Sequence, residues 1–115
     1  MPTSPQPADI VLVRFPFTDL TTAKVRPAVV LATNGDDVAI VGVFSTLPQT
    51  VRSTWLVLTD QDAHFAETGL RTTSVVKAER IAVIEQSLVV RKLGILPAGQ
   101  FQRLKEAVKR SLQLE

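Results

Sequence analysis

Short apolar, β-branched runs alternate with polar stretches along most of this chain, and only near the C-terminus does the spacing change to a helical period. Ile10-Val11-Leu12-Val13 is the first run, closed by Pro16, which has no N–H to give to a strand ladder. Residues 18 to 24 are polar and without periodicity, a loop long for a hairpin, before the second run Arg26-Pro27-Ala28-Val29-Val30-Leu31. Asn34-Gly35 supplies the positive-φ positions of a tight turn into a third strand, Val38 to Phe44, so these two strands form a hairpin. After the polar loop 48 to 53 comes Thr54-Trp55-Leu56-Val57-Leu58, with Trp55 as the expected aromatic anchor of the core. Residues 60 to 69 read as turn or short helix, and Thr72 to Lys77 and Arg80 to Ile84 as two further strands. A helix opens at Pro97 and carries Phe101, Leu104, Val108 and Leu112 on one face, the stripe of a helix docked on its own domain. The layout is mainly β with a C-terminal helix.

Composition narrows the function classes. A chain of 115 residues, 45% hydrophobic and 21% charged, suits a single globular domain, here residues 8 to 115 after a flexible lead-in of residues 1 to 7. With no cysteine, thiolate chemistry and cysteine-bound zinc are excluded, and with one histidine a catalytic metal would rest on carboxylates. No signal sequence and no bilayer-length apolar stretch is visible, so a cytoplasmic protein with no membrane partner is expected. The net charge of +2 says little by itself, but eight of the thirteen basic residues are arginine, the side chain shaped for bidentate phosphate contact.

The chain has no phosphate-binding glycine loop, no histidine pair at helical spacing and no nucleophile elbow. What remains are polar residues at strand ends beside loops. Arg26 precedes Pro27, which holds it extended beside the long first loop; it is either a surface arginine in an ion pair or a phosphate ligand. Ser45-Thr46 follows the third strand, as a turn-former or as a hydroxyl pair facing a substrate. Lys77 and Glu79, two apart in an extended segment, project to one face and, taken alone, are an ordinary solvated pair. His64, in the turn segment, reads as an incidental surface histidine.

Taken in order, Asp9-Ile10-Val11-Leu12-Val13, Arg14-Phe15-Pro16-Phe17-Thr18 and Val25-Arg26-Pro27-Ala28-Val29-Val30-Leu31 resemble the opening of the MazF/PemK toxins. Val43-Phe44-Ser45-Thr46, the block from Gly69 to Ile81, and Arg91-Lys92-Leu93-Gly94 ahead of a closing helix are similar to later blocks of that family, so the likeness runs from about Ala8 to the C-terminus. The resemblance implies an SH3-like small barrel of the CcdB/Kid/MazF type, a homodimer, a cognate MazE/PemI-like antitoxin that blocks the site, and sequence-specific cleavage of single-stranded mRNA. Carried over by position, Arg26 matches the family's catalytic arginine, Ser45 its phosphate-contacting hydroxyl, and Lys77 with Glu79 a basic and acidic pair used for proton transfer. Ala8 stands where glycine usually precedes the opening aspartate, a departure of minor conformational weight. Leu20 and Thr21 stand where some members carry His-Glu, which places more weight on Lys77 and Glu79.

RNA carries its own nucleophile, the 2′-hydroxyl, so such an enzyme needs a base, positive charge on the phosphorane and an acid, with no metal or other cofactor. The expected roles are Glu79 as base, Arg26 as electrostatic clamp, Ser45 as phosphate-positioning hydroxyl and Lys77 beside the departing 5′-oxygen. Arg14, Phe17, Lys24, Thr46, Arg52 and Arg71 are the expected RNA contacts, with Phe15 a further aromatic platform. Two rivals share the fold: a CcdB-like gyrase-binding toxin, whose aromatic C-terminal residue is missing from Ser111-Leu112-Gln113-Leu114-Glu115, and a non-catalytic module that binds RNA or protein.

Overall fold

A computed structural model describes residues 4–14 and 25–114. The strands are β1 (Asp9–Arg14), β2 (Val25–Asn34), β3 (Asp37–Phe44), β4 (Trp55–Leu58), β5 (Ser74–Glu85) and β6 (Val89–Ile95), and the chain closes with helix α1 (Ala98–Ser111). They form one sheet in the order β4-β5-β3-β2-β1-β6, antiparallel at every pairing. The expectation of a mainly β molecule with a terminal helix is met.

Alternation along the strands buries two separate clusters. Ile10, Val29, Val41, Val43, Val76 and Ala78 point to one face, where Leu56 and Leu58 of β4 and Leu104 and Ala107 of α1 complete the larger core. Val11, Val13, Ala28, Val30, Ile40 and Ile84 point to the other and pack with Leu88 and Val89. Because β1 and β2 pair as Ile10↔Val29 and Val11↔Ala28, each strand serves both clusters.

The sheet curls far enough for the short 3₁₀ turn Phe65–Thr68, which follows edge strand β4, to pack on the opposite edge strand β6. Two glycines permit that closure. A Cβ at Gly94 would overlap the backbone of Glu67 and Thr68, and one at Gly69, which has φ +73°, would overlap Leu93.

Several elements differ from the sequence reading. The two β-rich segments around Thr72 to Ile84 are one twelve-residue strand, β5. β6 has no counterpart in that reading: as an edge strand covered by little, it carries exposed Val90, Arg91 and Lys92 and lacks an alternating pattern. At the hairpin only Gly35 has positive φ (60°), while Asn34 is the last residue of β2 and pairs with Asp37. The helical stripe stops a turn early, because Leu104 is fully buried but Leu112 is the C-cap and 53% exposed.

Ala8 is a further correction. Its φ is +78°, the left-handed region, so an alanine where glycine is usual is not a minor change. The chain accepts that conformation because Ala8 is tied on both sides, its N–H donating to the Val30 carbonyl at 2.9 Å and its carbonyl accepting from Leu96 at 2.8 Å. Next to it, buried Asp9 accepts the Gln6 N–H at 2.9 Å and pairs with Lys92 at 3.3 Å, joining the first strand to β6.

Candidate active site

The antiparallel register brings the start of β2, the end of β3 and the first half of β5 to one end of the sheet. Arg26 pairs with Val13 and so shares the face of Ala28. Ala28 pairs with Gly42, and continuing that register by two residues sets Arg26 across from Phe44, with Ser45 next along the chain. Phe44 in turn pairs with Val75 at the start of β5, and Lys77 pairs with Trp55 at the start of β4.

β5 is irregular where the candidate pair lies. Between the pairs Val43↔Val76 and Val41↔Ile81, β3 advances two residues and β5 advances five. The extra length makes a bulge over Lys77 to Arg80 opposite Gly42, a device that re-aims side chains at the expense of ladder bonds. Gly42 suits the position, since a Cβ there would press on the Phe44 ring at 3.0 Å.

Lys77 and Glu79 meet a different partner from each other. The Lys77 ammonium sits over the Phe44 ring, 4.7 Å from its centroid, and over the Trp55 ring at 4.6 Å. The Glu79 carboxylate accepts the Trp55 indole N–H at 2.8 Å on one oxygen and the Thr54 hydroxyl on the other. Arg52 lies over the same indole, 5.1 Å from its centroid. Partial burial works to raise the Glu79 pKa, but the Thr54 and Trp55 hydrogen bonds and the nearby Arg52 charge outweigh it, so the carboxyl titrates below its ordinary value.

The structure therefore joins Lys77, Glu79 and Arg52 in one cluster and sets Arg26 and Ser45 at the adjoining strand ends. Thr46 is exposed beside Ser45. Arg14 ends β1 opposite Val25, which by alternation sends it to the other face from Arg26. Arg71 is exposed ahead of β5, and among the described residues no hydrogen bond or ion pair links it to the cluster. Phe17, Lys24 and Phe15 lie outside the described residues. His64 is exposed and pairs with Glu67 at 2.7 Å, which raises its pKa. Among the described residues no three His, Cys, Asp or Glu side chains gather as a metal site requires.

Trp55 corrects the sequence reading. It is half-buried and stands at the site, not in the core, which Leu56 and Leu58 fill instead. The signal was in the strand itself, since alternation that buries Leu56 and Leu58 must turn Trp55 and Val57 to the opposite face. Phe44 and Thr54 were missed because their partners come from a strand more than twenty residues away. On its far side Trp55 opens into a groove shared with Ser53, Gln102, Arg103, Glu106 and Arg110, where Arg110 donates to the Ser53 carbonyl at 2.9 Å. A concavity of about 1000 Å³, lined by Asp36, Asp37, Glu85, Arg91 and Lys92 among others, lies elsewhere on the sheet and contains none of the cluster.

A curled antiparallel sheet with one closing helix, bearing cations and hydroxyls at one end of its strands, is the architecture of a known class of small toxins. The family model of the PemK-like, MazF-like toxins of type II toxin-antitoxin systems matches residues 6–112, and the chain belongs to that family. None of the curated proteins matches it. Among solved structures it is similar to an endoribonuclease from a mycobacterial species in complex with its cognate antitoxin, at 17% identity and TM-score 0.73 over 96% of this chain and 97% of that one. It is similar to the toxin MazF-mt6 of Mycobacterium tuberculosis, at 21% identity and TM-score 0.71 over 93% and 98%. MazF of Deinococcus radiodurans matches at 19% identity and TM-score 0.75 over 97% and 99%. These likenesses establish a MazF-like fold. Among the described residues no helix is long and apolar enough to cross a membrane.

Proposed function

We propose that this toxin is a metal-independent endoribonuclease that cuts single-stranded mRNA at short sequences, with Arg26, Ser45, Lys77 and Glu79 as its catalytic residues. The observation that carries the reading is the assembly, at one end of the sheet, of an ionised carboxylate and a separate ammonium beside the strand ends that bear Arg26 and Ser45. Glu79 removes the 2′-hydroxyl proton, using a lone pair left free by Thr54 and Trp55. The 2′-oxygen then attacks phosphorus, the bond to the 5′-oxygen breaks, and Lys77 supplies a proton to that leaving oxygen. Arg26 and Ser45 hold the phosphoryl oxygens as charge builds on them. The products are a 2′,3′-cyclic phosphate and a 5′-hydroxyl.

Arg52 and Thr46, with Arg14, Phe17, Lys24 and Arg71, are the proposed contacts to the rest of the RNA. The protein acts as a homodimer in the cytoplasm, and an acidic segment of a cognate antitoxin inhibits it by covering the cationic face. The test is to incubate the purified protein with a long RNA in EDTA and map the new 5′ ends. Sequence-specific 5′-hydroxyl ends are expected, reduced about 10²-fold or more by Arg26→Ala and by Ser45→Ala. Cleavage should weaken as salt rises, because phosphate contacts release counterions. Intact RNA in every sequence context, or cleavage that needs magnesium and ignores salt, would overturn the reading.

A further inference from the structure

Two residues apart in the chain, Lys77 and Glu79 have Cα atoms separated by no more than about 7 Å even if fully extended, within easy reach for their long side chains to form an ion pair. They do not form one. The ion pairs among the described residues are His64–Glu67 and Lys92–Asp9. Between the two charges stands Trp55, whose Cα is paired with Lys77 and whose predecessor Thr54 accepts the Ala78 N–H at 3.2 Å, so β4 is registered directly against this segment.

An indole is suited to that position because its two polar aspects have opposite sign. The ring face is electron-rich and attracts a cation; the N–H at its edge donates to an anion. Here the face holds the Lys77 ammonium at 4.6 Å and the edge holds a Glu79 oxygen at 2.8 Å. Phe44 on the lysine side and Thr54 on the carboxylate side complete each charge's separate set of partners. We propose that Trp55 is a positioning residue that sorts the two charges, holding Lys77 on its face and Glu79 on its edge so that they remain a separate acid and base.

This rests on the function proposed above, and it adds a requirement which that function alone does not. The attacking 2′-oxygen and the departing 5′-oxygen lie on opposite sides of phosphorus, so the base and the acid must reach two different places. A direct ion pair would hold them together and make each a poorer catalyst.

Trp55 is the sole tryptophan, so one indole N–H signal reports on this contact without any RNA. Beside Glu79 stand Lys77 and Arg80 on its own strand and Arg52 ahead of β4, while Arg103, Glu106 and Arg110 of α1 line the groove that Trp55 shares. Of these only Glu106 is a second carboxylate. The experiment is a pH titration of the ¹⁵N-labelled full chain, following the indole cross-peak. The peak is expected to move with a midpoint below the ordinary glutamate value, to keep that midpoint in Glu106→Gln and to stop moving in Glu79→Gln. In RNA cleavage, Trp55→Phe keeps a ring for Lys77 but loses the N–H. It should shift the acid limb of kcat to higher pH while leaving KM within about two-fold, and Trp55→Leu should lower kcat at every pH.

An indole signal that ignores Glu79, or an acid limb unmoved in folded Trp55→Phe, would overturn the proposal. If the RNA stays intact while the indole still titrates with Glu79, the contact stands and the nuclease reading is what fails. Dispersed amide spectra of each variant establish that it is folded, a mild demand since Trp55 is half-buried outside the core.

Discussion

The molecule contains two lysine–carboxylate couples, and they are treated in opposite ways. At the β1–β6 edge, Lys92 pairs directly with buried Asp9 at 3.3 Å, and the carboxylate also accepts the Gln6 N–H. At the β4–β5 edge, Lys77 and Glu79 are exposed to solvent on one side and divided between the face and the edge of Trp55. The first couple is paired internally and fastens the start of the chain to an edge strand. The second keeps a free cation and an ionised carboxylate available, as catalysis requires and stability does not.

The sharpest break of that comparison is a pair of single substitutions with crossed outcomes. Glu79→Gln should lower RNA cleavage by about 10²- to 10⁴-fold, the range for loss of a general base, and lower the unfolding midpoint only slightly, since the carboxylate is exposed. Asp9→Ala should do the reverse. It strands the Gln6 N–H and the Lys92 ammonium, and should cost about 1–3 kcal/mol in denaturant unfolding, with cleavage per folded molecule retained. If Asp9→Ala abolished cleavage in folded protein, or Glu79→Gln unfolded the chain, the division of labour would be wrong.

A smaller effect sharpens the stability side. Ala8, beside Asp9, holds φ +78°, a conformation costing a non-glycine residue about 1–2 kcal/mol. Part of that relief is offset by the entropy glycine loses on folding, so Ala8→Gly should raise stability by about 1 kcal/mol or less, read as an increased denaturant midpoint with unchanged cleavage. The smallest effect belongs to His64. Its folded pKa is raised by the hydrogen bond and charge of Glu67, so any stabilisation is complete below the ordinary histidine value of 6.5 and is lost as pH rises through the folded value. Both side chains are exposed, at 67% and 58%, so His64→Gln should leave cleavage untouched and show no more than a slight loss of thermal midpoint, confined to acidic solution.

For Glu79 the sign is opposite. A depressed carboxyl pKa keeps the group charged to lower pH, so both its contribution to folding and its service as a base are present above the ordinary glutamate value. They are lost only as pH falls through the lower, folded one. The acid limb of cleavage should accordingly lie below that of a free glutamate, as a pH–rate profile would show.

The elements with a strong period were legible before folding. β2 and β3 were recognised by β-branched runs around Gly35, and α1 by Phe101, Leu104 and Val108, because one buried face imposes a fixed spacing on any chain. β6 was not, because an edge strand exposes much of its length and imposes no such spacing. The Ala8 conformation is not legible for a related reason: residue identity carries no record of φ, and the left-handed conformation there is held by bonds to Val30 and Leu96 from distant parts of the chain.

The same boundary runs through the candidate site. The sequence alone determined the chemical inventory, namely Arg26, Ser45, Lys77 and Glu79 at strand ends or in extended segments, with no cysteine and one histidine to compete for the chemistry. Alternation along β4 already takes Trp55 off the core face, but only the tertiary structure decided that it stands between Lys77 and Glu79. That contact depends on the β4–β5 register and on a bulge in β5. A register is a relation between two segments, set by how both bury their apolar faces together, and neither segment contains it alone.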